Sequence, residues 1–144
     1  MMTFIGVFIT IVGLVAWLGQ TISFVAPGVA QVIGLLESKD EMNDTFYIIE
    51  SKVLCLNDML FSWTLPLAGI LLLVENAYWP YVGLIGGGIY LYFSGFILIS
   101  RFYLKREGKQ IGPPSGVITA TVFSMIWIFS SILMIILSID NLSQ

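Results

Sequence analysis

The chain has 144 residues, of which 58% are apolar and only 10% are charged, and its formal net charge at pH 7 is −3. A typical globular protein carries roughly 25% charged residues, so this composition excludes an ordinary water-soluble domain and favours a protein embedded in lipid. With no histidine and a single cysteine, Cys55, the sequence also excludes histidine-ligated haem, serine–histidine and cysteine–histidine catalytic pairs and an internal disulfide.

Four apolar stretches predict four membrane-spanning helices, at about 3–25, 53–75, 81–104 and 113–139. A helix needs about 20 apolar residues to cross a hydrocarbon core of roughly 30 Å, and the sequence lacks the alternation typical of barrel strands. We expect a single transmembrane domain over residues 1–144, with the all-α architecture of a four-helix bundle in the cell membrane. The first helix lacks the basic start and cleavage site of a secretory signal, so we expect it to be retained.

The region between the first two helices is predicted to be polar and partly helical. Pro27 ends or bends the first helix, and 29–36 either continues it or forms a short helix at the membrane boundary. We expect 37–52 to be a cytoplasmic polar segment. Apolar residues recur there at helical spacing, so the second helix is expected to begin near Asp44 and to project from the membrane. Pro66 is expected to kink it.

All six basic residues are predicted to lie on one side of the membrane. A tight turn at 76–80, whose Tyr78 and Trp79 suit a membrane–water boundary, joins the second and third helices. In a four-helix chain the first and third loops share a side, and these loops and their flanks hold every Lys and Arg: Lys39, Lys52, Arg101, Lys105, Arg106 and Lys109. The positive-inside rule assigns that side to the cytoplasm, so we expect an N-out/C-out topology.

Asp58 is a charge just inside the predicted start of the second membrane segment. A carboxylate at mid-bilayer costs about 2.5–3.5 kcal/mol on insertion scales, and less near the boundary. Arg101 is expected at the same depth in the third helix, and we predict that the two side chains pair. Two roles stay open for Asp58: an ion or proton site, or a structural anchor at the lipid boundary.

A second group of carboxylates lies in the polar segment: Glu37, Asp40, Glu41 and Asp44. Such oxygens could bind a hard cation such as Ca²⁺ or Mg²⁺, but the spacing and central glycine of an EF-hand loop are missing. The alternative is a solvated loop. A divalent cation is therefore the only cofactor that the sequence suggests.

Uncharged polar residues occupy the predicted helix interiors, among them Gln20, Thr64, Tyr90 and Tyr92. They suit hydrogen bonds between helices, at about 0.6–2 kcal/mol each, or the lining of a polar passage.

Small residues also recur at the spacing that lets helices approach closely. They are Gly83 and Gly87 in the third helix, and Gly116, Ala120 and Ser124 in the fourth. Such contacts form within one chain or between copies in a homo-oligomer.

Several short motifs together resemble a family of small, uncharacterised prokaryotic integral membrane proteins. They are Leu18-Gly19-Gln20, Ala26-Pro27, Asp40-Glu41-x-x-Asp44, Leu65-Pro66-Leu67-Ala68-Gly69, the run from Trp79 to Phe93, and Gly108-Lys109-Gln110-Ile111-Gly112. The resemblance implies the four-helix membrane architecture and carries no activity. It also implies that Asp58 and the Asp40-Glu41-x-x-Asp44 segment belong to the pattern of the family.

Three classes of function follow. A non-enzymatic membrane component, either an oligomeric scaffold or an accessory subunit of a larger complex, accounts for the close-packing glycines and uncharged helix interiors. The alternative is a small oligomeric channel or transporter for ions or small solutes. The weakness of this interpretation is that the predicted helices carry no charged residue at the membrane midplane. The third is a metal-dependent enzyme at the cytoplasmic face, but no acid–base or nucleophile pair is recognisable, so we expect no enzymatic activity. The expected partners are the lipid bilayer and other membrane proteins, not nucleic acid.

Overall fold

The regular structure of the chain is helical. The computed structural model describes residues 2–144, so Met1 lies outside the described residues. Within them, four helical stretches are long and apolar enough to cross a membrane, by length and composition: Met2–Val25, Asp44–Leu73, Trp79–Arg106 and Pro114–Leu142. The predicted all-α class and the predicted number of candidate spanning helices are therefore confirmed.

The second long stretch is divided into segments, whereas the other three are continuous. The helices in chain order are α1 (Met2–Val25), α2 (Pro27–Val32), α3 (Asp44–Ile48), α4 (Cys55–Phe61), α5 (Thr64–Leu73), α6 (Trp79–Arg106) and α7 (Pro114–Leu142), with a 3₁₀ turn at Lys39–Glu41 and a π-helical segment at Ile49–Leu54. The helical stretch thus begins at Asp44, as the apolar periodicity indicated. This is well before residue 53, where the membrane-spanning part was predicted to start.

The short helix α2 is separate from α1. Pro27 occupies its first turn, where the fixed φ of proline suits a helix start, and Ala26 before it departs from helical geometry with φ −134°. Gly34, at φ +75°, reverses the chain after α2, and the N–H of Leu35 donates to the carbonyl of Ala30 at 2.8 Å. This is the hydrogen bond of a Schellman end, so α2 stops here, while the departure at Ala26 separates it from the first helix.

The same ending closes α5, but with a non-glycine residue. Glu75 has φ +55°, the N–H of Asn76 donates to Leu71 at 2.9 Å, and the N–H of Glu75 donates to Leu72 at 3.2 Å. A left-handed conformation costs a side-chain-bearing residue roughly 1–2 kcal/mol. Glu75 is the one residue other than glycine with positive φ among those the structure describes.

The molecule is closely packed from its middle to the end where residues 74–78 join α5 to α6, called here the turn end. α5 lies between α1 and α6, and α6 packs along α7. A Cβ on Gly13 would lie 2.6 Å from Cδ of Pro66, and one on Gly86 would lie 2.7 Å from the backbone nitrogen of Leu65. Only glycine fits at these crossings, so α1 and α6 clamp the start of α5 between them.

The opposite end, called the loop end, contains the two loops between α2 and α3 and between α6 and α7. Met42 and Ile111 form an isolated antiparallel bridge, and the N–H of Asn43 donates to Gln110 at 2.9 Å. Met42, Phe46 and Ile111 are buried together beneath this bridge. The two loops that hold or flank the basic residues therefore lie at the same end.

Candidate functional site

The second long helix is interrupted at Ser62 and Trp63, close to the middle of the molecule. Four successive carbonyl oxygens there accept hydrogen bonds from side chains: Met59 from Trp17 Nε1 (3.0 Å), Leu60 from Trp63 Nε1 (2.8 Å), Phe61 from Thr64 Oγ1 (2.8 Å) and Ser62 from the Tyr90 hydroxyl (2.9 Å). Unbonded carbonyls in an apolar interior cost free energy, so these donors stabilise the break.

Pro66 explains where the break falls. A helix would bond the N–H of residue 66 to the carbonyl of Ser62, but proline has no N–H. Tyr90 supplies the missing donor, and its hydroxyl also lies 2.8 Å from the carbonyl of Gly13. Tyr90 is buried, so one side chain links the three helices α1, α4 and α6 at this level. The kink expected at Pro66 occurs one turn before it, as the lost hydrogen bond requires.

Arg101 forms its ion pair with Glu50, not with Asp58 as the sequence suggested. Nη2 of Arg101 donates to Oε2 of Glu50 at 2.9 Å, and Nη1 contacts the other carboxylate oxygen. The guanidinium also lies over the ring of Phe46, with its carbon 5.2 Å from the ring centroid. Both charged side chains are nearly buried, with 9% and 14% exposure, so the pair is shielded from solvent.

The predicted pairing was wrong because Asp58 and Arg101 lie at different depths. Glu50 is roughly 24 residues before the turn and Arg101 roughly 22 residues after it, which places both about 33–36 Å from the turn. Asp58 is only about 16 residues before it, or about 24 Å. Counting residues from the 74–78 turn would have identified Glu50 as the partner of Arg101. Estimating depth from the expected lipid boundary instead placed Asp58 level with Arg101.

Asp58 is buried, with 5% exposure, and lies between the ion pair and Tyr90. Its carboxylate accepts a hydrogen bond from the hydroxyl of Ser62 at 3.1 Å. Asp58, Ser62, Tyr90 and Ser94 line a small cavity of about 10 Å³, the space of a single water molecule. This polar cavity lies next to the break in the helix, since Ser62 forms part of its wall.

A larger cavity of about 160 Å³ lies between the small one and the loop end. All four long helical stretches contribute to its wall, and Gln20 and Trp127 line both cavities. Cys55 also faces it, with its thiol donating to Oε1 of Gln20 at 3.0 Å and close to the carbonyl of Glu50 at 3.1 Å. Most of its other wall residues are apolar, so the cavity combines an apolar body with a few polar groups.

Glu37 lines the larger cavity at the loop end. Its carboxylate lies against Gly116 in the first turn of α7, where a side chain on residue 116 would overlap it. Partial burial, together with the negative charge of Glu41, raises the pKa of Glu37 above its usual value of 4.5, while Arg101 acts in the opposite direction. Gly116 therefore accommodates a carboxylate and not another helix, which corrects its predicted role in helix packing.

Two nitrogen donors of residues that line the cavity have no acceptor among residues 2–144. They are Nε of Arg101, in a residue with 8% exposure, and Nε1 of Trp127. Both atoms have almost no accessible surface, so they lie behind the wall and do not open onto the cavity.

The acidic group of the polar segment does not converge. Asp44 forms an exposed ion pair with Lys39 at 3.4 Å, and Glu37 lies in the cavity apart from Asp40 and Glu41. Within the described residues no three side chains of Asp, Glu or Cys are grouped closely enough to hold a metal ion.

The remaining predicted residues differ in their surroundings. A Cβ on Gly83 or Gly87 would contact α7, so these glycines pack within the chain. Ala120 lines the larger cavity, and Ser124 is fully buried on α7 without a partner for its hydroxyl in the described part of the chain. Tyr92 points outwards with 66% exposure.

No protein-family model, curated protein or solved structure matches the chain. The resemblance to small prokaryotic membrane proteins therefore stays a prediction.

Proposed function

We propose that this chain is an integral membrane protein that transports a small solute, which binds in the larger cavity from the loop end. The observation that carries the proposal is a pair of neighbouring cavities. The larger one reaches the Glu50–Arg101 pair, and the smaller one is lined by the buried carboxyl of Asp58 beside the broken helix. Broken helices that present backbone and polar groups to a central cavity are a common way to build solute sites inside membranes.

The outer surface supports the assignment to a membrane. Large apolar side chains cover the outward face of α7, among them Ile118, Met125, Phe129 and Ile136, all more than half exposed. A water-soluble monomer rarely exposes so continuous an apolar surface.

The charges support an orientation. Every Lys and Arg lies in or beside the two loops of the loop end or on the helix ends that meet there. In our proposal this end faces the cytoplasm and both termini lie outside, in agreement with the positive-inside rule.

In this proposal the turn end closes the pathway. The Tyr90 hydroxyl lies within hydrogen-bond distance of the carbonyls of Gly13 and Ser62, and Gly13 and Gly86 pack closely against α5 beside it. Transport then requires α5 to move relative to α4, and the interruption at Ser62 and Trp63 is the hinge. Such movement exposes the site to each side in turn, as in alternating access.

Cysteine accessibility tests the proposal. In a Cys55→Ser background, Ala120→Cys reports on the cavity, Thr10→Cys on the closed turn end, and Met134→Cys, fully buried in the core, is the packed control. With a membrane-impermeant methanethiosulfonate, we expect fast labelling of Ala120→Cys from the loop side, slow labelling of Thr10→Cys from the opposite side, and none of Met134→Cys. Labelling of Thr10→Cys from neither side over hours would contradict transport, and absence of labelling at Ala120→Cys would contradict the cavity.

A second candidate is the oligomeric or accessory membrane component. It is supported by the outward face of α6, where Gly88 and Gly95 have open space beside them and flank the exposed Tyr92. A surface of this kind allows another helix to approach closely. Native mass spectrometry in membrane particles tests it: a homo-oligomer that dissociates on Gly88→Leu substitution supports this function, and a monomer for both sequences contradicts the homo-oligomeric form.

A further inference from the structure

The larger cavity has a definite charge balance. Glu37 and Glu50 contribute two negative charges and Arg101 one positive charge, and Glu50 and Arg101 already pair with each other. Glu37 has no basic partner within 4 Å in the described residues. The cavity thus carries one uncompensated carboxylate, and Asp58 beyond it adds no positive charge. This balance favours an occupant with a single positive charge and disfavours an anion.

The rest of the wall is apolar, and its size limits the occupant. Val15, Leu35, Leu36 and Phe123 lie around the cavity, whose volume is about 160 Å³. An engineered protein cavity of about 150 Å³ binds benzene, so there is room here for about six to nine non-hydrogen atoms.

We infer that the site binds a small amphiphilic amine, with one ammonium group for Glu37 and a short branched or aromatic apolar body for the rest of the wall. This inference rests on the proposed function, because it names the class of solute that the cavity takes.

A set of related probes tests each part of the inference. Leucinamide and isoamylamine have the ammonium group and the apolar body, whereas isocaproamide lacks the ammonium and leucine adds a negative charge. Binding is measured on the purified protein in membrane particles at about pH 6.5 by calorimetry and by thermal shift. We expect leucinamide to bind at least about tenfold more tightly than isocaproamide, because a hydrogen-bonded charged group is worth at least this factor.

One variant connects the preference to a named side chain. Glu37→Gln keeps the volume of the side chain and removes its charge, so leucinamide should bind at least about tenfold more weakly while isocaproamide is unaffected. Asp40→Asn, at an exposed carboxylate of the same loop, is the matched control and should change neither.

Three results would overturn the inference: isocaproamide binding as tightly as leucinamide, leucinamide binding that Glu37→Gln leaves unchanged, or no binding of any probe to folded protein. A bound lipid in the native mass spectrum that leucinamide does not displace would also overturn it, since the cavity would then hold an acyl chain. Labelling at Ala120→Cys and Thr10→Cys needs none of these probes, so the transport proposal fails or survives separately.

Discussion

Tyr90→Phe removes the hydroxyl whose one proton lies within reach of the carbonyls of Gly13 and Ser62, and the structure indicates how much stability this costs. The carbonyl of Gly13 lies inside α1 and keeps its helical donor, whereas that of Ser62 has lost its helical donor to Pro66. Leaving one buried acceptor without a partner costs about 1–3 kcal/mol, and hydrogen bonds between membrane helices measure about 0.6–1.7 kcal/mol. We expect Tyr90→Phe to lower the free energy of unfolding by about 1–2 kcal/mol.

A double-mutant cycle separates this hydrogen bond from packing. Pro66→Ala restores an N–H that can bond the carbonyl of Ser62, so Tyr90→Phe should cost less than about 0.5 kcal/mol in that background. Tyr92→Phe, at an exposed position of the same helix, is the control and should be neutral within about 0.5 kcal/mol. The measurement is reversible unfolding by dodecyl sulfate in mixed micelles, followed by tryptophan fluorescence. An equal cost of Tyr90→Phe with and without the Pro66→Ala substitution would refute this assignment of the hydrogen bond.

Three further predictions concern other parts of the fold. Glu50→Gln should destabilise the protein by about 3–5 kcal/mol in the same assay, because it leaves the buried Arg101 charge without its partner. Asp58→Asn should cost clearly less, since Asp58 bonds only the hydroxyl of Ser62. A larger loss for Asp58→Asn than for Glu50→Gln would contradict the observed pairing. Gly116→Ala should lower the melting temperature, because its methyl group would overlap Glu37. Adding Glu37→Ala to the same chain should recover most of that loss. If the two substitutions instead changed the melting temperature additively, this contact would be contradicted. Glu75→Gly should raise the free energy of unfolding by about 1 kcal/mol, because glycine adopts the left-handed conformation without a steric cost. If hydrogen exchange showed the end of α5 intact and the free energy of unfolding did not rise, this reasoning would be contradicted.

The composition and spacing of the residues were enough to predict the class of fold. Apolar stretches of membrane-crossing length require helices, because backbone groups in lipid must bond within their own segment. Even the start of the second helix at Asp44 followed from the spacing of Phe46, Ile49 and Val53, since a helix carries its apolar stripe wherever the stripe continues.

The candidate site depended on contacts that no local pattern contains. Glu37 was identified as one of four carboxylates in a loop, but its place against Gly116 results from the pairing of two loops distant in sequence. Trp127 lines both cavities but carried no signal in the sequence, since an indole on an apolar helix looks the same whether it packs against another helix or beside a cavity.

The sequence by itself determined which segments are helical, how many can cross a membrane and which end collects the positive charges, because each of these depends on one segment at a time. The tertiary structure alone decided that Arg101 meets Glu50, that Tyr90 bonds the carbonyl that Pro66 leaves free, and that a cavity remains between the helices. These depend on the register between helices, which the 74–78 turn and the close glycine contacts set together, and a shift of one helical turn would exchange every partner.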